Sequence, residues 1–188
     1  MSENSMEKQY NGGWSESTNP REHNPDNYRY LVHAFNLTAK NRLAIANISS
    51  YINNPELAKS ATEVVDIYKN PNQIQERLSI SCSLINQDKN VTWGDSGLIL
   101  ENNNRPYITS NQDAVVINHN SQLLEQQSKN NYIQTPEAIL FQTNSETYNE
   151  IVIQGNGTRI VGVFAKVNED GEYLTPNPLL ITSLIQRF

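Results

Sequence analysis

The chain has 188 residues, enough for one hydrophobic core of ordinary size, so a single domain is expected. Hydrophobic residues make up 37% and charged residues 18%, and 27 Asn with 12 Gln fill the difference, which excludes charge-driven disorder and a coiled coil. With 14 basic against 20 acidic side chains the net charge is −6 and no basic cluster stands out, which argues against nucleic acid as a partner.

Residues 1–27 carry Ser, Asn, Glu, Gly and two prolines without hydrophobic periodicity, and read as a disordered leader ahead of one domain over 28–188. No basic-then-apolar segment marks a signal peptide, and no apolar run reaches the ~18 residues of a membrane span. A strand is expected over 28–35 (YRYLVHAF). Alternation puts Tyr28, Tyr30, Val32 and Ala34 on one face and Arg29, Leu31, His33 and Phe35 on the other.

The next forty residues read as helical. Asn54-Pro55-Glu56 combines a capping residue, a first-position proline and a first-turn acid. Leu57, Ala61, Val64, Val65 and Tyr68 then follow at helical spacing, predicting one amphipathic helix that ends near Pro71. A shorter helix over 72–78 leads into a strand over 79–85, where hydroxyls alternate with apolar residues. Its Cys82 is the only cysteine, which excludes an internal disulfide and a thiolate zinc site; with three scattered histidines, no metal is expected. Short strands are expected over 97–101 and 107–109, and helices over 121–129 and 136–142. Strands over 150–154 and 159–167 flank Gly155-Asn156-Gly157, a hairpin turn, and an apolar helix occupies 178–188. Helices early, interleaved strands and a late hairpin predict an α+β fold with a mostly antiparallel sheet.

Gly94-Asp95-Ser96-Gly97 has the letters that surround the nucleophile of trypsin-like proteases, and His33, Asp66 and Ser96 follow that family's order. The chemistry also needs an oxyanion hole and a histidine beside the serine. Leu98 stands where a second glycine belongs, and too few residues separate His33 from Ser96 to build two β-barrels. The segment is read as a turn into the next strand.

Three other pieces cohere. Ile80-Ser81-Cys82-Ser83-Leu84 is a serine-bearing strand, Tyr148-Asn149-Glu150-Ile151-Val152-Ile153 sets a glutamate at the start of an apolar strand, and Val32-His33-Ala34-Phe35 or Tyr28-Arg29 supplies a polar residue on the first strand. In that order they resemble the ADP-ribosyltransferase family of bacterial toxins and effectors, over about 28–167. The family's Ser-Thr-Ser strand has Cys82 in its threonine place. The first strand is similar either to the His-Gly pair of the diphtheria-type branch or to the arginine of the Arg-Ser-Glu branch.

The resemblance implies a split, mostly antiparallel sheet with flanking helices, and a mono-ADP-ribosyltransferase that uses NAD. Glu150 and Ser81 would be catalytic. His33 or Arg29, with Ser83 and Phe35, would bind NAD, and Trp93 or Tyr107 are further rings that could stack on nicotinamide. The implied acceptor is a protein, and a host activating protein is a further partner the family allows. The setting implied is an effector delivered into a host cell without a signal peptide. An NAD glycohydrolase and a non-catalytic interaction module are the alternatives. Breaking the nicotinamide–ribose bond passes through an oxocarbenium-like state, which a carboxylate near the ribose hydroxyl stabilises. Arginine-modifying members carry an acid two residues before the catalytic glutamate; Tyr148 holds that place here, and Glu146 lies one alternation further back.

Overall fold

The computed structural model of the chain describes residues 29–35, 39–86, 88–114, 135–167, 170 and 172. The leader and the helices expected over 121–129 and 178–188 lie outside the described residues. Six strands form one antiparallel sheet: β1 (Arg29–Ala34), β2 (Ile80–Asn86), β3 (Ser96–Asn102), β4 (Ile108–Ser110), β5 (Glu150–Ile153) and β6 (Thr158–Ala165), in the order β4-β5-β2-β1-β3-β6. With its helices this is an α+β architecture.

Helices α1 (Ala39–Ala46), α2 (Ile48–Asn53), α3 (Pro55–Ser60) and α4 (Thr62–Lys69) fill the first connection, followed by a 3₁₀ helix over Pro71–Glu76. Asn54 caps α3 by accepting from the Glu56 and Leu57 amides. The single helix expected from Asn54 to Pro71 is broken at Ala61, whose φ of −140° and ψ of 44° leave the helical region. Two hydroxyls favour the break: Ser60 donates to the Leu57 carbonyl and Thr62 to that of Lys59, competing with the helix ladder. Helix α5 (Pro136–Gln142) is capped by Thr135.

The sheet has two unlike faces. Leu31, Cys82, Leu84, Leu98, Leu100, Ile151 and Ile153 point to one, where they join Val64, Val65 and Ile67 of α4 and Ile139 of α5 in the main core. This is the helix face. The other face carries two small apolar clusters, Val32 with Ile85 and Ile99, and Ile108 with Val152. Gly97 lies where β3 presses against β1, because a Cβ there would meet the His33 carbonyl at 2.0 Å. Gly157, at φ 79°, supplies the left-handed residue of the β5–β6 turn.

Strand β2 changes partner along its length. Its first half pairs with β5 (Ile80↔Ile153 to Cys82↔Ile151) and its second half with β1 (Ser83↔Val32 to Asn86↔Arg29). Each ladder stops where the other begins, and each stop is completed by a side chain. Asn149, just ahead of β5, accepts from the Leu84 amide and donates to the Leu84 carbonyl, copying a backbone rung. On the β1 side the ring of His33 reaches the Ser81 carbonyl.

Candidate active site

Glu150 opens β5 and is 5% exposed. Its Oε1 accepts from the Ser81 hydroxyl at 2.6 Å, and its Oε2 from the Ala114 amide at 2.9 Å. The Ser81 contact follows from register: Ser81 pairs with Val152, and Glu150 lies two residues along on the same face. The Asn149 amide, clamped to Leu84 and donating to the Thr143 hydroxyl, fixes the entry to β5. The serine–glutamate pair expected from the sequence is thus in direct contact.

A second carboxyl sits beside the first. Asp113 lies close enough to Glu150 and to Tyr148 to raise the pKa of both. Burial raises the Glu150 pKa; donation from Ser81 and Ala114 opposes this, the charge of Asp113 reinforces it, and the net direction is upward. Burial likewise raises the Tyr148 phenol, with Asp113 and Glu150 adding to the shift. A cavity of about 310 Å³ is lined by Val91, Gln112, Asp113, Glu146, Thr147 and Tyr148. That size is at the lower end of the ~300–1,000 Å³ range of ligand cavities. Trp93, 61% exposed, meets Tyr148 edge to face at 5.6 Å between centroids. A cavity of about 350 Å³ lies between the 3₁₀ helix and β6, lined by Asn72, Gln75 and Arg159 among others, and it holds no carboxyl pair.

The first-strand residues take a different place from the one expected. The pairing Val32↔Ser83 puts Tyr30, Val32 and Ala34 on the face of Ser81 and Ser83, so Arg29, His33 and Phe35 lie on the helix face. His33 is held between the Ser81 carbonyl, 2.7 Å from Nδ1, and Glu63 Oε1, 2.6 Å from Nε2. Arg29 pairs with Glu137 of α5 at 2.6 Å. Phe35 is 2% exposed in the main core, where its ring cannot stack on a ligand. The expectation that His33 or Arg29, with Phe35, lies beside Glu150 is therefore corrected: one strand register turns all three to the opposite face. Ser83 does share the Ser81 face, but it is buried opposite Val32. Tyr107 packs against the Ile108–Val152 cluster.

Glu63 also accepts from Arg77 at 2.7 Å. Burial alone would raise its carboxyl, but the hydrogen bonds and charges of His33 and Arg77 outweigh it and hold the pKa at about 2. With both His33 nitrogens engaged in this way, the ring makes no hydrogen bond to Ser96, whose buried hydroxyl has no hydrogen-bond partner among the described residues. The protease letters correspond to no triad.

Asp113 and Ala114 had no motif to mark them; Tyr148 was visible only as a departure. Among the described residues no three His, Cys, Asp or Glu side chains converge in a way that could hold a metal ion, and no helix is long and apolar enough to cross a membrane. No family model, curated protein or solved structure matches the chain.

Proposed function

We propose that the chain is a mono-ADP-ribosyltransferase that cleaves the nicotinamide–ribose bond of NAD and transfers ADP-ribose to a protein, as a bacterial effector would in a host cell. The observation that carries this reading is the 2.6 Å hydrogen bond from the Ser81 hydroxyl to the buried Glu150, whose neighbour Asp113 lines a ligand-sized cavity that Glu150 itself does not line. In the reaction the bond electrons leave with the nicotinamide nitrogen, which becomes neutral. Positive charge develops on the ribose carbon and its ring oxygen. An ionised Glu150 accepting from a ribose hydroxyl strengthens its hold as that charge grows, which is the condition for lowering a barrier. The acceptor then bonds to the same carbon and gives up a proton. Asp113 is within reach of Glu150 to share that proton.

In this reading the NAD-holding groups come from the cavity rim, Tyr148, Thr147 and Gln112, rather than from β1. A labelled NAD analogue incubated with the protein and a eukaryotic lysate should yield a labelled protein together with released nicotinamide. Nicotinamide without labelled protein identifies an NAD glycohydrolase, which the tyrosine at position 148 favours. Absence of NAD binding by calorimetry overturns the enzymatic reading in favour of an interaction module, which the helix-facing positions of His33, Arg29 and Phe35 favour.

A further inference from the structure

The end of the β1–β2 ladder leaves one backbone acceptor facing a gap. Val152 spends its carbonyl on the Tyr107 amide, toward β4. Its partner Ser81 therefore sits at a non-hydrogen-bonded position of the β2–β5 ladder, and the Ser81 carbonyl turns toward β1. The last β1–β2 pair is Val32↔Ser83, so no backbone rung of that ladder reaches Ser81. The imidazole of His33 occupies the gap. A carbonyl can only accept, so Nδ1 carries the proton in that contact. Nε2 is anchored to Glu63, which Arg77 anchors in turn.

We infer that His33 is a positioning residue: by bonding the Ser81 carbonyl on one face of the sheet, it fixes the peptide that aims the Ser81 hydroxyl at Glu150 on the other. A chain of contacts at 2.7, 2.6, 2.7 and 2.6 Å runs from Arg77 through Glu63 and His33 to the Ser81 backbone and on to the carboxylate. Free rotation of the Ser81–Cys82 peptide would swing the hydroxyl, and an ångström of misplacement in such a group can cost up to roughly 10²-fold in rate. The function assigned to His33 is thus mechanical, and its kinetic consequence rests on the NAD-cleaving reading above.

Two substitutions separate the two ends of the ring. The amide nitrogen of asparagine falls near Nδ1, so His33→Asn keeps a donor for the Ser81 carbonyl and loses Glu63. The amide of glutamine falls near Nε2, so His33→Gln keeps Glu63 and loses Ser81. The Glu150 carboxyl is followed in both by carbon NMR against pH, with no substrate present. Because donation from Ser81 lowers the Glu150 pKa, His33→Gln should move the titration to higher pH and His33→Asn should stay closer to the unsubstituted protein. In NAD cleavage kcat should fall at least tenfold in His33→Gln and by less in His33→Asn, with KM for NAD moving less than kcat. Equal Glu150 titrations in the two variants overturn the inference, as does a higher titration in His33→Asn, which decides alone if the Gln variant does not fold. Absence of NAD turnover in every form overturns the proposed function and leaves the titration result standing on its own.

Discussion

Glu63 and Glu150 are both largely removed from water, one on each face of the same sheet, and they titrate in opposite directions. Glu63, on the helix face, is gripped by His33 and Arg77 and held ionised down to about pH 2. Glu150 is buried, and its burial, reinforced by the neighbouring Asp113, outweighs donation from a hydroxyl and a backbone amide, so its proton is retained to higher pH than usual. The two environments separate two purposes. A carboxylate paired with His33 and Arg77 ties α4 and the 3₁₀ connection to the sheet, whereas one held only by neutral donors has no fixed positive partner among the described residues and is left to answer to a substrate.

Substitutions on the two faces should follow that division. The largest effect is expected in the main core: Leu84→Ala, at a fully buried position of β2, should cost ~2–5 kcal/mol of stability in chemical denaturation. A cost below ~1 kcal/mol would mean that the helix face does not carry the fold.

On the other face, Glu150→Gln should raise the barrier for NAD cleavage by ~3 kcal/mol, roughly 10² in rate, with stability at neutral pH within about 1 kcal/mol of the parent. Its folded pKa is raised, so its contribution to stability is present at low pH and lost as pH rises through the folded value. The glutamine variant should lack that decline, while parental activity should rise with pH over the same interval. Full activity in the variant would end the proposed mechanism.

Glu63→Gln should do the reverse, costing ~2 kcal/mol of stability at neutral pH. The contribution of Glu63 is present above its ordinary value of 4.5 and lost as pH falls toward about 2, so the gap between variant and parent should close over that range. A gap that persists at pH 2 would argue for a packing role instead. The smallest effect is expected at Glu137, whose side chain is 61% exposed in its pair with Arg29. Glu137→Gln should change the stability read from denaturation by less than ~1 kcal/mol, and a larger change would extend the electrostatic role of Glu63 to α5.

Much of the sheet was legible because alternation is a local property. The faces of 29–35 separated as expected, the strands over 79–85 and 150–154 lie within a residue of their observed limits, and the Ser81–Glu150 contact follows from chemistry carried by those strands. Register between strands is not local. Nothing in 28–35 says whether His33 or Val32 pairs on the serine face, and a slip of one residue exchanges them. The helical region was legible as helix but not as four pieces, since hydroxyls at Ser60 and Thr62 decide the break at Ala61. Asp113 follows β4 in a stretch without periodicity, so only the folded chain brings it to Glu150.

Cys82 lies between the two serines, on the half of β2 held by β5, with its sulfur in the main core and 3% exposed. Burial, and then the charge of Glu150, push its thiol pKa up, so the folded chain presents neither an accessible nor a nucleophilic sulfur. As the only cysteine in the sequence it is also a built-in clock. Alkylation requires β2 to part from its neighbours, so the rate of reagent uptake counts the openings of the strand that joins the two ladders. A ligand that fastens Glu150 to Ser81 should slow that clock, which would report occupancy without any product being measured.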